Sequence, residues 1–463
     1  MQQKARLTEG PVARTLVRLT MPMVIAMFAM VGFNLIDTFY VGQLGTEQLA
    51  AMGFTLAVVM AVNSISQGLG MGATAVVAKA IGRRDTEGVR RLTLGAILLG
   101  VTVASTITVA GLLTIDPLFG ALGAEGVVLE HVHAYMSIWF LGLPLIIVPQ
   151  TGNSGLRATG DTKTPAKIMI AALGINAVLD PLFIFGFGPV PAFGLRGAAI
   201  ATVIAQACAL VLALGVLRRR GILTRVRMGA GELLASWRRV LAVGLPAAVT
   251  QLITPVSTGV ITAIVATYGV AAVAGFGVAG RLEMFAVMVI NALGAALVPF
   301  VGQNWGAGNK ARVSRAVKVA LGMAAGWGAF VWVLSLVGGR AVAGVFNDDA
   351  TVIATVVSYM AIVFPSYALL GALVTITNSL NALHRAVHSL VLSVLRMFVL
   401  YVPLAYAGSV LYGLTGVWWA ALVANGVAGV VGVLWFRHLF RRMEAEAPVT
   451  EWAEEPEFEV IPA

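Results

Sequence analysis

Two short patterns in this chain of 463 residues place an amide one helical turn before a carboxylate. They are Asn34-Leu35-Ile36-Asp37 and Asn176-Ala177-Val178-Leu179-Asp180. Both lie in apolar runs. Asp180 is the only charged residue between Ile168 and Phe187. A carboxylate at the centre of a membrane span costs about 2.5–3.5 kcal/mol on insertion scales, so such a residue is a functional-site candidate by default. Residues three or four apart share a helix face, so each amide lies beside its acid. Two carboxylates and two amides make an all-oxygen site suited to a hard cation. They suit a proton equally, because neutralising one acid relieves like-charge repulsion. Thr202, in the following apolar run, can add a hydroxyl.

Other residues point to a path for a cargo molecule. Pro22 sits inside the first run, where proline removes a helix hydrogen bond and permits a bend. Met27, Phe33, Tyr40 and Tyr135 can line a greasy cavity, and Asn153 and Gln251 can give it polar points. Arg281, Glu283 and Arg396 are charged residues within apolar runs, expected to pair across helices or to face the cavity. Enzyme and ATP-driven pump readings find no support. The sequence has no GxxxxGK[ST] loop, HExxH, paired-cysteine metal motif or nucleophile elbow. No cofactor is expected beyond a coupling H+ or Na+, and no nucleic-acid partner.

The elements that position these residues are transmembrane helices. The chain is 59% hydrophobic and only 11% charged, with mean hydropathy +0.91. Soluble domains average roughly 25% charged residues. Twelve spans are predicted, at about 16–41, 50–80, 92–114, 133–153, 166–187, 198–217, 241–267, 271–303, 313–337, 352–381, 387–408 and 414–436. The runs are continuous, which excludes a barrel of short alternating strands. No cleavable leader is expected, and the single cysteine, Cys208, allows no intrachain disulfide. Of the 31 Lys and Arg, all but Arg196, Arg281, Arg340 and Arg396 fall at the termini or in alternate loops. The positive-inside rule then puts both termini in the cytoplasm of a cell whose inner (plasma) membrane holds the protein.

The two halves repeat. A shift of 224 residues superposes Pro22 on Pro246, Gly82 on Gly306 and Arg91 on Arg315. Later the offset falls to 222, pairing Pro181 with Pro403. Six spans per half give a parallel repeat, an arrangement transporters use with the cargo site at the repeat interface. The expected division is a first lobe over 1–217, a cytoplasmic inter-lobe loop over 218–240, a second lobe over 241–442, and an acidic disordered tail over 443–463. Asp37 and Asp180 correspond to Ile261 and Val402, so the acids belong to the first lobe alone.

Twelve spans in two lobes, with Pro22, Asn34-x-x-Asp37, Gly155-Leu156-Arg157-Ala158-Thr159-Gly160-Asp161-Thr162-Lys163-Thr164-Pro165, Asn176-x-x-x-Asp180-Pro181 and Gly197-Ala198-Ala199-x-Ala201-Thr202, resemble the multidrug and toxic compound extrusion (MATE) transporters, their prokaryotic DinF-like branch in particular. The resemblance spans residues 10–440. It implies two lobes around a central cavity and export of lipophilic, often cationic compounds in exchange for H+ or Na+, by a monomer in the lipid bilayer. It makes Asp37 and Asp180 the coupling carboxylates, with Asn176 and Thr202 as partners in holding Na+ and Asn34 beside them. Pro22 is similar to the proline at which the first helix bends. The competing reading is a flippase for lipid-linked precursors on a related scaffold.

Overall fold

The computed structural model describes residues 5–223 and 228–445, and only the backbone at 33–35. The side chains of Phe33 and Asn34, and the expected tail beyond Ala445, lie outside the described residues. Backbone groups in lipid must be satisfied within their own segment, which leaves helices for runs this apolar. The first half holds α1 (Val12–Gly42), α2 (Thr46–Gly82), α3 (Thr86–Ala121), α4 (Gly126–Leu141), α5 (Leu143–Ala158), α6 (Lys163–Phe185) and α7 (Leu195–Arg219). The second holds α8 (Ala230–Ala266), α9 (Val270–Gly306), α10 (Lys310–Phe346), α11 (Ala350–Val363), α12 (Tyr367–Ala382), α13 (Ala386–Val394), α14 (Val402–Tyr412) and α15 (Leu414–Ala445). Among the described residues, eleven helical segments are long and apolar enough to span, and the α4–α5 pair makes a twelfth.

The repeat is built into the helix ends. The starts of α2 and α9, α3 and α10, and α4 and α11 are each 224 residues apart, as are the ends of α5 and α12. Two differences from the sequence reading have plain causes. The fourth span is not one rod: it bends by 45° between α4 and α5, where Pro144 opens a new helix after Gly142. The inter-lobe loop is also shorter than 218–240. Residues 230–240 are already helical, because Glu232 caps the Gly229 amide at 3.1 Å and Trp237 Nε1 donates to the Gly95 carbonyl at 3.0 Å. The charges of Glu232, Arg238 and Arg239 hide this turn from hydropathy. Likewise α15 runs three residues past 442.

The halves meet where α2 packs on α8 and α9. Here the chain uses glycine so that backbones touch. A Cβ at Gly68 would lie 2.6 Å from the Ala248 Cβ, and one at Gly72 would strike the Val240 carbonyl. Further along, Gly82 abuts the Gln303 carbonyl and Gly306 abuts that of Lys79, while Gly302 faces Ala78. Residues 78 and 302, and 82 and 306, are repeat equivalents in contact with each other. A pseudo-twofold axis therefore runs between α2 and α9, and its contact is self-complementary. Gln303 adds two bonds: Nε2 donates to the Ala158 carbonyl at 2.6 Å, and Oε1 accepts the Leu7 amide at 3.1 Å.

This seal lies toward the basic loops. Between Gly68 and Gly82 nearly every residue of α2 is buried, as is α9 from Ala292 to Asn304. Toward the other end the same helices expose side chains. Gln67 and Gln251, both exposed, bond to each other at 3.2 Å just beyond the seal. The space between the halves is closed on the basic side and open on the other.

Gly72→Val places a branched side chain in the α2–α8 backbone contact. It should destabilise the protein by about 2 kcal/mol or more, read as a lower thermal midpoint in detergent. A second expectation concerns His384, in the turn between α12 and α13 with φ of +59°. Burial first, then Lys79, Arg83 and Arg239, push its imidazole down to about 3, and its Nε2 has no partner among the described residues. A depressed histidine stabilises the fold above its unfolded value of about 6.5 and loses that contribution as pH falls. From pH 7 to pH 5 the loss should be about 2 kcal/mol. His384→Asn tolerates the left-handed backbone and should flatten this part of the pH–stability profile.

Candidate functional site

The first-half carboxylates are brought together from α1 and α6. The two helices are registered near their open-side ends by Tyr40, whose ring meets Phe185 edge-on at 6.2 Å. Asp37 is three residues below Tyr40 and Asp180 five below Phe185. At about 1.5 Å per residue the acids therefore lie within roughly 3 Å of one depth. Asp180 is fully buried. Its Oδ1 accepts from Asn176 Nδ2 at 2.6 Å, as the i, i+4 spacing requires. Among the described residues its Oδ2 has no partner, and neither does the buried Oδ1 of Asp37. The two carboxylates act electrostatically on each other, and both act on the Tyr135 hydroxyl of α4. Pro181 has no N–H, so the Ala177 carbonyl, one turn earlier on α6, loses its helical donor.

Thr202 approaches from α7. Gly197 lets α7 touch the α6 backbone, since a Cβ there would strike the Phe183 carbonyl. Five residues down α7 is Thr202, and about three down α6 is Asp180, so the hydroxyl and the acid share a level to within about 3 Å. Thr202 is half-buried. Asp37, Asn176, Asp180 and Thr202 thus lie within about one helical turn of a common level in the first half. Two orphaned carboxylate oxygens there fit a proton or a monovalent cation. Among the described residues no group of three or more acids, histidines or cysteines gathers to hold a metal.

The other candidates separate. Tyr135 belongs with the acids rather than the cavity wall, because it is buried in the first-half core. Tyr40 packs against that core at its rim. Met27 is half-buried on α1, which continues unbroken through Pro22. Asn153 is buried in α5, its amide oxygen without a partner among the described residues. Its neighbour Ser154 offers a carbonyl to Thr74 of α2, at 3.5 Å. Gln251 faces Gln67, a partner sequence inspection missed. Arg281 is exposed. Phe285, one turn on and on the same face, stacks on Phe28 of α1 at 5.8 Å, so Arg281 faces the space between the halves.

Glu283 is partly exposed and is tied to the second half. Its Oε2 accepts from the Tyr359 hydroxyl at 2.5 Å. Arg396 lies near enough to act on it electrostatically, without an ion pair to it among the described residues. Tyr359 went unnoticed in the sequence, yet the signal was present: Tyr359 is the repeat equivalent of Tyr135.

Comparison with known proteins agrees with this architecture. The MatE family model matches residues 22–182 and again 246–407, one match per half. A protein of Shewanella oneidensis described as an FAD transporter is 35% identical over 432 residues, covering 93% of this chain and 95% of its own. The multidrug export protein MepA of Staphylococcus aureus is 23% identical over 92% of this chain and 94% of its own. The crystal structure of the Vibrio cholerae MATE transporter VcmN in the bent form superposes with TM-score 0.88 at 29% identity, covering 94% of this chain and 98% of that one. With both halves matched and the twelve-span architecture shared, the chain belongs to the MATE family of membrane transporters and is not an enzyme.

Proposed function

We propose that the chain is a secondary antiporter of the plasma membrane, driven by H+ or Na+ through Asp37 and Asp180. The observation that carries this reading is the pair of orphaned carboxylate oxygens inside the first half. Buried acceptors without donors are costly, and a proton or Na+ supplies what they lack. Asn176 orients Asp180, Thr202 offers a further oxygen, and the freed Ala177 carbonyl lies on the same helix. The two halves, 1–217 and 241–442, act as lobes of a monomer with both termini cytoplasmic.

The cycle follows from the seal and the acids. With the space open away from the basic loops, a cation or proton reaches Asp37 and Asp180. Neutralising them relaxes their mutual repulsion and reorders α1 against α6. Cargo held between the halves loses affinity and leaves outward. Reciprocity requires that cargo weaken the ion by the same factor. The MepA relationship supports lipophilic drugs as cargo. The nearer identity of the FAD transporter supports a second class, aromatic compounds that carry phosphate.

Efflux from proteoliposomes under separately imposed pH and Na+ gradients should respond to one or both. Asp37→Asn and Asp180→Asn should each cut gradient-driven efflux by an order of magnitude or more. Wild-type efflux from either variant sinks the scheme. Asn176→Ala should keep transport but weaken the apparent affinity for the coupling ion about tenfold, as loss of an orienting partner does. An unchanged ion dependence would remove Asn176 from the site.

A further inference from the structure

The second half has a buried polar cluster for which the coupling scheme has no use. Glu283 of α9, Tyr359 of α11 and Tyr367 of α12 converge on Arg396 and Tyr401, which lie in a π-helical segment, residues 395–401, between α13 and α14. The segment ends two residues before Pro403, whose missing N–H disturbs the α-helical ladder. Single π turns recur at functional sites.

The chemistry of the cluster is opposite to that of the first half. Tyr135 and Tyr359 are repeat equivalents, 224 residues apart in helices of matching register. Tyr135 stands by two carboxylates; Tyr359 stands by one carboxylate and one guanidinium. A bare cation is repelled by Arg396. The arginine, however, has donors to spare. Among the described residues it forms no ion pair, and its hydrogen bonds go to the Met397 sulfur at 3.2 and 2.9 Å. Thioether sulfur is a weak acceptor. Tyr359 meanwhile holds the one nearby carboxylate, Glu283, by a 2.5 Å bond. Glu283, Arg396 and Tyr401 are partly exposed while Tyr359 and Tyr367 are buried, so the charged end of the cluster is its open end. A guanidinium with an unfilled fork matches a carboxylate or phosphate.

We propose that Arg396 is an anion subsite for cargo, taking a phosphate or carboxylate group, and that Glu283, restrained by Tyr359, is its internal competitor. The inference rests on the transporter reading but not on the coupling ion. It is tested on the purified full chain in detergent without gradients, by equilibrium binding of two fluorescent flavins. FAD carries a pyrophosphate; riboflavin has the same ring system and no phosphate. Wild type should bind FAD more tightly than riboflavin. Arg396→Gln should weaken FAD about tenfold or more and leave riboflavin within about twofold. Glu283→Gln should tighten FAD and leave riboflavin unchanged, a gain that a damaged fold would not produce. The proposal is overturned if wild type does not prefer FAD, if Arg396→Gln shifts both flavins alike, or if Glu283→Gln weakens FAD. Loss of gradient dependence with these binding results intact would count against the coupling scheme alone.

Discussion

The backbone contact between α2 and α9 is the constraint on which the rest of the structure depends. It is made by Gly82 and Gly306, with Ala78 and Gly302 one turn away. No hydrophobic force holds apolar helices together in lipid, so close van der Waals packing through small residues must. Because each residue meets its own repeat equivalent, the contact fixes the pseudo-twofold axis. Everything placed by that axis follows: the α2–α8 crossing, the closed basic side, and the open space into which Gln67, Gln251 and Arg281 look.

On this frame the halves keep one shape and differ in charge. Helix starts hold a constant offset from α2 to α4 and from α9 to α11. The tyrosine of the fourth span is retained in both. What differs is its company: two aspartates in the first half, a glutamate and an arginine in the second. Asp37 becomes Ile261 and Asp180 becomes Val402 without loss of the helices that carry them. The scaffold and the chemistry are therefore separable, and each half can be specialised without disturbing the seal.

Much of this was legible in the sequence. Apolar runs and alternating basic loops give twelve spans, and the 224-residue repeat gives two equivalent halves. The Asn176–Asp180 bond follows from spacing alone, and the equal depth of Asp37 from its distance to the helix end. What was not legible depends on rotation about helix axes. A helix apolar on all faces does not declare which face meets which neighbour. Tyr135 therefore read as a cavity residue although it turns toward the acids, and Glu283 gave no sign of Tyr359, 76 residues away. The start of α8 was missed because its charged residues cap and pair rather than form a loop.

The charge difference between the halves has a directional consequence. At the level of Asp37 and Asp180 the formal charges of the first half are negative, whereas Arg281 and Arg396 outnumber Glu283 within the spans of the second. Between them the electric field points across the space from the second half toward the first. In surroundings of low dielectric such a field is strong and weakly screened. A dipolar molecule resting there is therefore turned with its negative end toward the second half.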